Sequence, residues 1–99
     1  MSEATGAGSD GRWRRDAEMP FQRLEEETIV LDTRRREVHL LNESASRIWE
    51  LLASAQSVDE LTAALSDEYD AAEGEVREAV VECLDALTTR GLLIADGAR

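Results

Sequence analysis

The sequence predicts an α+β domain, winged-helix-like, in which a three-stranded antiparallel sheet is followed by three helices. Three observations predict it. Between Phe21 and Asn42, short apolar and β-branched runs alternate with polar turns, which is the pattern of strands. From Asn42 onward, apolar residues recur at helical spacing in three separate blocks. The chain has 99 residues, enough for one domain and a modest core.

Phe21-Gln22-Arg23-Leu24 reads as a weak first strand ahead of the acidic run Glu25-Glu26-Glu27. Thr28-Ile29-Val30-Leu31 is a good second strand, and Asp32 to Glu37 is a polar hairpin turn. Val38-His39-Leu40-Leu41 is the third strand, ending at Asn42.

Asn42 can cap the first helix, whose apolar face is Ala45, Ile48, Trp49 and Leu52. Ser57-Val58-Asp59-Glu60 is a capping box that opens the second. Its buried face is expected to be Val58, Leu61, Leu65 and Tyr69. The third is the clearest, with Val76, Ala79, Val80, Cys83, Leu84 and Leu87 on one stripe. Gly91 stands where a left-handed residue stops a helix. Leu92-Leu93-Ile94 is then a short apolar return, either a brief strand or a plug on the core. The helices are expected near 43–54, 58–68 and 73–90. Residues 1–16 are Gly, Ser, Ala and charge without periodicity, and are expected to be a disordered tail ahead of a domain spanning 17–96.

Composition narrows the function. The formal net charge is −11, with 22 acidic and 11 basic residues. A chain this acidic is repelled by phosphate backbones, so nucleic-acid binding is disfavoured. No apolar run reaches the length of a membrane span, and the N-terminus lacks the apolar segment of a secretory signal. No membrane partner and a cytoplasmic location are expected. One cysteine, Cys83, and one histidine, His39, cannot assemble a Cys/His zinc set, and no metal or other cofactor is expected. The histidine lies on a strand and the cysteine on a buried stripe, so a nucleophile with its base is not expected either. No glycine-rich phosphate loop occurs. The chain reads as a non-enzyme, and Cys83 as a core residue.

Ile29-Val30-Leu31-Asp32, Val38-His39-Leu40-Leu41-Asn42-Glu43 and Ile48-Trp49-Glu50-Leu51-Leu52 together resemble the PqqD-like proteins, in which a strand ends in Leu-Asn and a helix starts at once. Ser57 to Leu61 with Tyr69-Asp70 is similar to that family's second helix, and Cys83 to Leu87 with Arg90-Gly91-Leu92-Leu93 to its third. The likeness covers roughly residues 21–94. A glycine usual in the hairpin turn falls near Arg36 here, implying a wider turn than a tight primed one. The family's acidic or proline-led start of the third helix is blurred in Ala71-Ala72-Glu73-Gly74.

The resemblance implies a non-catalytic recognition element for ribosomally synthesised, post-translationally modified peptides. Family members bind a precursor's leader as an added strand, with the third helix closing the groove. They work with a peptide-modifying enzyme, either a radical SAM enzyme or a leader peptidase as in lasso-peptide clusters. Carried onto this chain, the site is the strand Glu37, Val38, His39, Leu40 and Leu41 with Val76, Arg77, Val80, Val81 and Leu84 of the third helix. Leu41 is expected to face the core, leaving Val38 and Leu40 for the groove or the open face. His39 also reads as an ordinary strand residue, and Arg34-Arg35-Arg36 as a solvated tip or a contact for an acidic partner. Two other readings stand beside this one. One is a winged-helix DNA-binding regulator, weakened by Glu73, Glu75, Glu78, Glu82 and Asp85 on the would-be recognition helix. The other is an adaptor that binds only its partner enzyme.

Overall fold

The computed structural model describes residues 11–96. Its elements, in chain order, are β1 (Arg12–Arg15), β2 (Phe21–Arg23), β3 (Thr28–Asp32), β4 (Glu37–Leu41), α1 (Glu43–Leu51), α2 (Val58–Tyr69), α3 (Glu73–Thr89) and β5 (Leu93–Asp96). The expected α+β order is present: an antiparallel sheet β2-β3-β4 precedes three helices. A separate antiparallel pair, β1 with β5, is added to it.

The sheet separates its faces by strand alternation. Thr28, Val30 and Asp32 of β3 are buried, and Leu41 and Glu37 of β4 stand opposite Thr28 and Asp32. The other face carries Ile29, Leu31, Val38 and Leu40, and the last two are 66% and 57% exposed. The β3–β4 loop, Thr33 to Arg36, is wide as its sequence implies. Asp32 Oδ1 accepts hydrogen bonds from the Arg34 and Arg35 backbone N–H groups, both at 3.0 Å. Arg36 then takes a left-handed conformation, φ 58°, at the point where a glycine would meet no Cβ penalty.

Local signals set the helix ends. Asn42 accepts from the Ala45 N–H, and Ser57 and Glu60 close a full capping box. Ala72 caps α3 without a side-chain bond. At the other end Gly91, φ 76°, donates to the Thr88 carbonyl and Leu92 to the Leu87 carbonyl, a Schellman stop. Leu87 and Leu92 are both buried beside it.

The core joins Val30 and Leu41 of the sheet to Ile48, Trp49, Leu52, Val58, Leu61, Leu65, Val76, Val80, Leu84 and Leu87 of the helices. Two expected core positions are corrected. Tyr69 is 44% exposed, because it ends α2 where the chain turns away, and Thr62 is buried on the helix face instead. Ala79 is exposed as well, one step round α3 from the buried line.

The expected tail is corrected over its last residues. Arg12 to Arg15 pair with β5 in the register Arg12–Asp96 to Arg15–Leu93, and Trp13 exchanges two backbone bonds with Gln56. Trp13 packs against the core. Arg15 donates to the Trp49 carbonyl at 3.0 Å, and its guanidinium lies 4.5 Å from the Phe21 ring centre, a cation–π contact. Asp16 is buried, accepts from the Glu18 N–H and pairs with Arg34 of the hairpin. The return after Gly91 serves both readings, with Leu92 as a buried plug and β5 as a strand. The rest of the expected tail, residues 1–10, lies outside the described residues.

Candidate functional site

β4 is the outer strand of its sheet. One edge pairs with β3 over five residues, and no described strand pairs with the other. That leaves a line of main-chain N–H and C=O groups without strand partners, a template for one more extended segment.

Beside this strand lies a groove of about 500 Å³, walled by β4 and α1 on one side and α3 on the other. Leu41, Ile48, Leu65, Val76 and Leu87 form its apolar floor, where core side chains show at the surface. Leu40 leans in from the strand, and Ala79, Cys83 and Ala86 line the helix wall. These three follow helical spacing one step round from Val76, Val80, Leu84 and Leu87. Their small side chains leave space that larger ones would fill. Asn42, Ser44, Ala45, Tyr69, Ala71, Glu75, Glu82 and Arg90 complete the lining.

The structure brings some of the expected site residues together and not others. Leu40, Leu41 and Val76 line the groove. Val38 is exposed on the outer face of the sheet. Glu37 and His39 alternate onto the face that carries Leu41, where His39 is largely buried with Nε2 3.5 Å from Glu37 Oε1, and neither lines the groove. Val80 and Leu84 are 0% and 2% exposed and belong to the core. Val81 is half-buried against the core. Arg77 turns toward α2, pairing with Asp59 at 2.7 Å, whose carboxylate holds its guanidinium above the usual range. The helix wall therefore lies on Glu75, Ala79, Glu82, Cys83, Ala86 and Arg90. Sequence reasoning assigned Ala79 and Cys83 to the interior and passed over the others. The available signal was a second stripe of small residues beside the large apolar one.

Cys83, expected in the core, is only half-buried and faces the groove. Burial pushes its thiol up to about 11, against the opposing pull of the Arg90 charge. At neutral pH it is a thiol, a poor nucleophile. Among the described residues one group has metal-ligand spacing, Asp32, Glu37 and His39, with candidate atoms within 4.8 Å of one another. Asp32 Oδ1 there already takes two backbone N–H groups, and the turn carries three arginines, which oppose a cation. The group reads as the polar end of the hairpin.

The family model described as "Coenzyme PQQ synthesis protein D (PqqD)" matches residues 27–93. This chain belongs to the PqqD family. The matched segment runs from the start of β3 to the start of β5, so it contains the free strand edge and both walls of the groove. Among solved structures the PqqD-family fold seen here is similar to one described as "TbiB1 in Complex with the TbiA(beta) Leader Peptide". The TM-score is 0.74 and the identity 24%, over 81% of this chain and 93% of that one. A comparison with curated proteins gives no match. In the described residues no helix is long and apolar enough to cross a membrane.

Proposed function

We propose that this chain is a non-catalytic recognition module in the cytoplasm. It binds the leader segment of a ribosomally synthesised precursor peptide by strand addition to β4 and presents it to a separate modifying enzyme, a radical SAM enzyme or a leader peptidase. The observation that carries the reading is the free edge of β4 set beside an apolar groove. Main-chain pairing along such an edge gives affinity for any extended peptide, and alternate side chains reaching the groove give selectivity. Membership of the PqqD family and the leader bound to the similar TbiB1 fold support it. The recognition unit on this reading runs from β1 to β5, because Trp13 of β1 and Leu93 of β5 pack against the core.

His39 lies on the strand outside the groove's lining, and the Cys83 thiol inside it is pushed up to about 11, which supports a binding role. The DNA-binding reading is disfavoured by α3, where Glu75 and Glu82 line the groove and Glu73, Glu78 and Asp85 are also exposed. The test is a titration of precursor peptides encoded near this chain's gene into the isotope-labelled protein. Amide shifts concentrated on residues 37–41 and the groove face of α3 are expected. An unchanged spectrum, with the partner enzyme still bound, would instead establish an adaptor that has no leader site.

A further inference from the structure

The groove is not electrically uniform along its length. Glu75 lies in the first turn of α3, Glu82 at its middle and Arg90 just past its end, and all three line the groove. Each is exposed. Among the described residues none of the three has an ion-pair partner, whereas Arg47 pairs with Glu50 and Glu68, and Arg77 with Asp59 and Glu73. The charges that line the groove are thus uncommitted among the described residues, whereas Arg47 and Arg77, outside it, are neutralised by near neighbours. The hairpin fixes which end is which. Arg35 donates to the Arg90 carbonyl at 3.2 Å, so the Glu37 end of β4 meets the Arg90 end of α3.

We propose that the groove selects leaders by charge order: a basic side chain facing Glu75 and Glu82, an acidic one facing Arg90, and apolar residues between them. This rests on the reading of the groove as a leader site and adds the chemistry of its ligand. The geometry also sets a spacing. Along the helix, Glu75 and Arg90 are separated by about 22 Å, and Glu82 and Arg90 by about 12 Å. An extended peptide rises about 3.3 Å per residue, so the two charges of the leader stand roughly four to seven residues apart. Charges at a half-enclosed rim chiefly reject wrong partners and set register. A peptide with the reverse order meets like charge at both ends. The net charge of −11 attracts any basic peptide, but it does not explain a requirement for an acid at one end.

The experiment is a selection of random 14-residue displayed peptides on the immobilised full chain. E75R/E82R, R90E and a control, E78R/D85R, are treated alike. The control makes the same charge change on exposed residues of the same helix that do not line the groove. The wild-type pool is expected to carry a basic and an acidic residue in one fixed order at the stated spacing. E75R/E82R should lose the basic preference and R90E the acidic one. A representative wild-type peptide should bind E75R/E82R about tenfold or more weakly, a loss of ~1.4 kcal/mol, and the control within about twofold. Thermal melts establish that each variant is folded. Peptides that shift the 37–41 amides but show no charge order, or that lose as much affinity in the control, overturn the charge proposal and leave the groove reading intact. Selected peptides that shift only amides elsewhere overturn both.

Discussion

Replacing Leu40 by Asp separates binding from folding. Leu40 is 57% exposed on β4 and lines the groove. Fully burying a leucine side chain is worth about 1.5–3 kcal/mol. The exposed share that a bound peptide would cover is therefore worth about 1–1.7 kcal/mol. An aspartate there must also be desolvated without a partner, which adds about 1 kcal/mol or more. The expected loss is about 2 kcal/mol or more, roughly thirtyfold in Kd. Folding should change by less than about 1 kcal/mol, because the side chain already stands largely in water. Leu84→Ala is the opposite case. Leu84 is 2% exposed, so its truncation should cost about 2–5 kcal/mol of stability while the folded fraction binds normally. Fluorescence anisotropy with a labelled peptide from the selection, beside urea unfolding of each variant, measures both quantities. A folded Leu40→Asp variant that binds like wild type would refute the reasoning. So would a folded Leu84→Ala variant that loses as much affinity as Leu40→Asp.

Three further outcomes follow from the geometry. The Asp16 carboxyl lies below its ordinary range, held there first by the Glu18 N–H and then by Arg34. Its contribution is complete above the unfolded carboxylate pKa and is lost as pH falls through the lower folded one. Asp16→Ala should cost about 1–3 kcal/mol at pH 7, and the gap to wild type in urea melts should narrow only below about pH 4; a gap independent of pH would contradict the ion pair. Cys83, pushed up to about 11, should react with iodoacetamide at pH 8 roughly tenfold or more slowly than a free thiol, and groove-bound peptide should slow it again. Arg36→Gly should raise stability by about 0.5–1 kcal/mol, because Arg36 holds φ 58°; a lower melting temperature would mean that its side chain makes a contact worth more than the strain.

The strands and helices were legible because their determinants are local. Thr28 to Leu31 is β-branched and apolar, Asn42 and Ser57 carry capping oxygens, and Gly91 can take the left-handed stop, each readable within a few residues. The same locality explains the errors at Arg12 to Arg15, whose sequence has no strand pattern of its own. Its backbone is satisfied by Leu93 to Asp96 and Gln56, far along the chain, and no local periodicity reports such a pairing.

The candidate site divides in the same way. The sequence by itself determined that β4 carries apolar residues on both faces, that Leu41 enters the core, and that α3 has a long apolar stripe beside small residues. The tertiary structure alone decided which edge of the sheet stays open and which stripe of α3 faces it. Helical spacing places Val80 and Ala79 equally well on an inner surface. Only the packing of α2 against α3, with Leu61 and Leu65 buried in the shared core, draws Val80 and Leu84 inward. The same rotation leaves Ala79, Cys83 and Ala86 as the groove wall. The reason is physical: periodicity gives the direction of a side chain relative to its own helix axis, whereas exposure depends on which neighbours surround that axis.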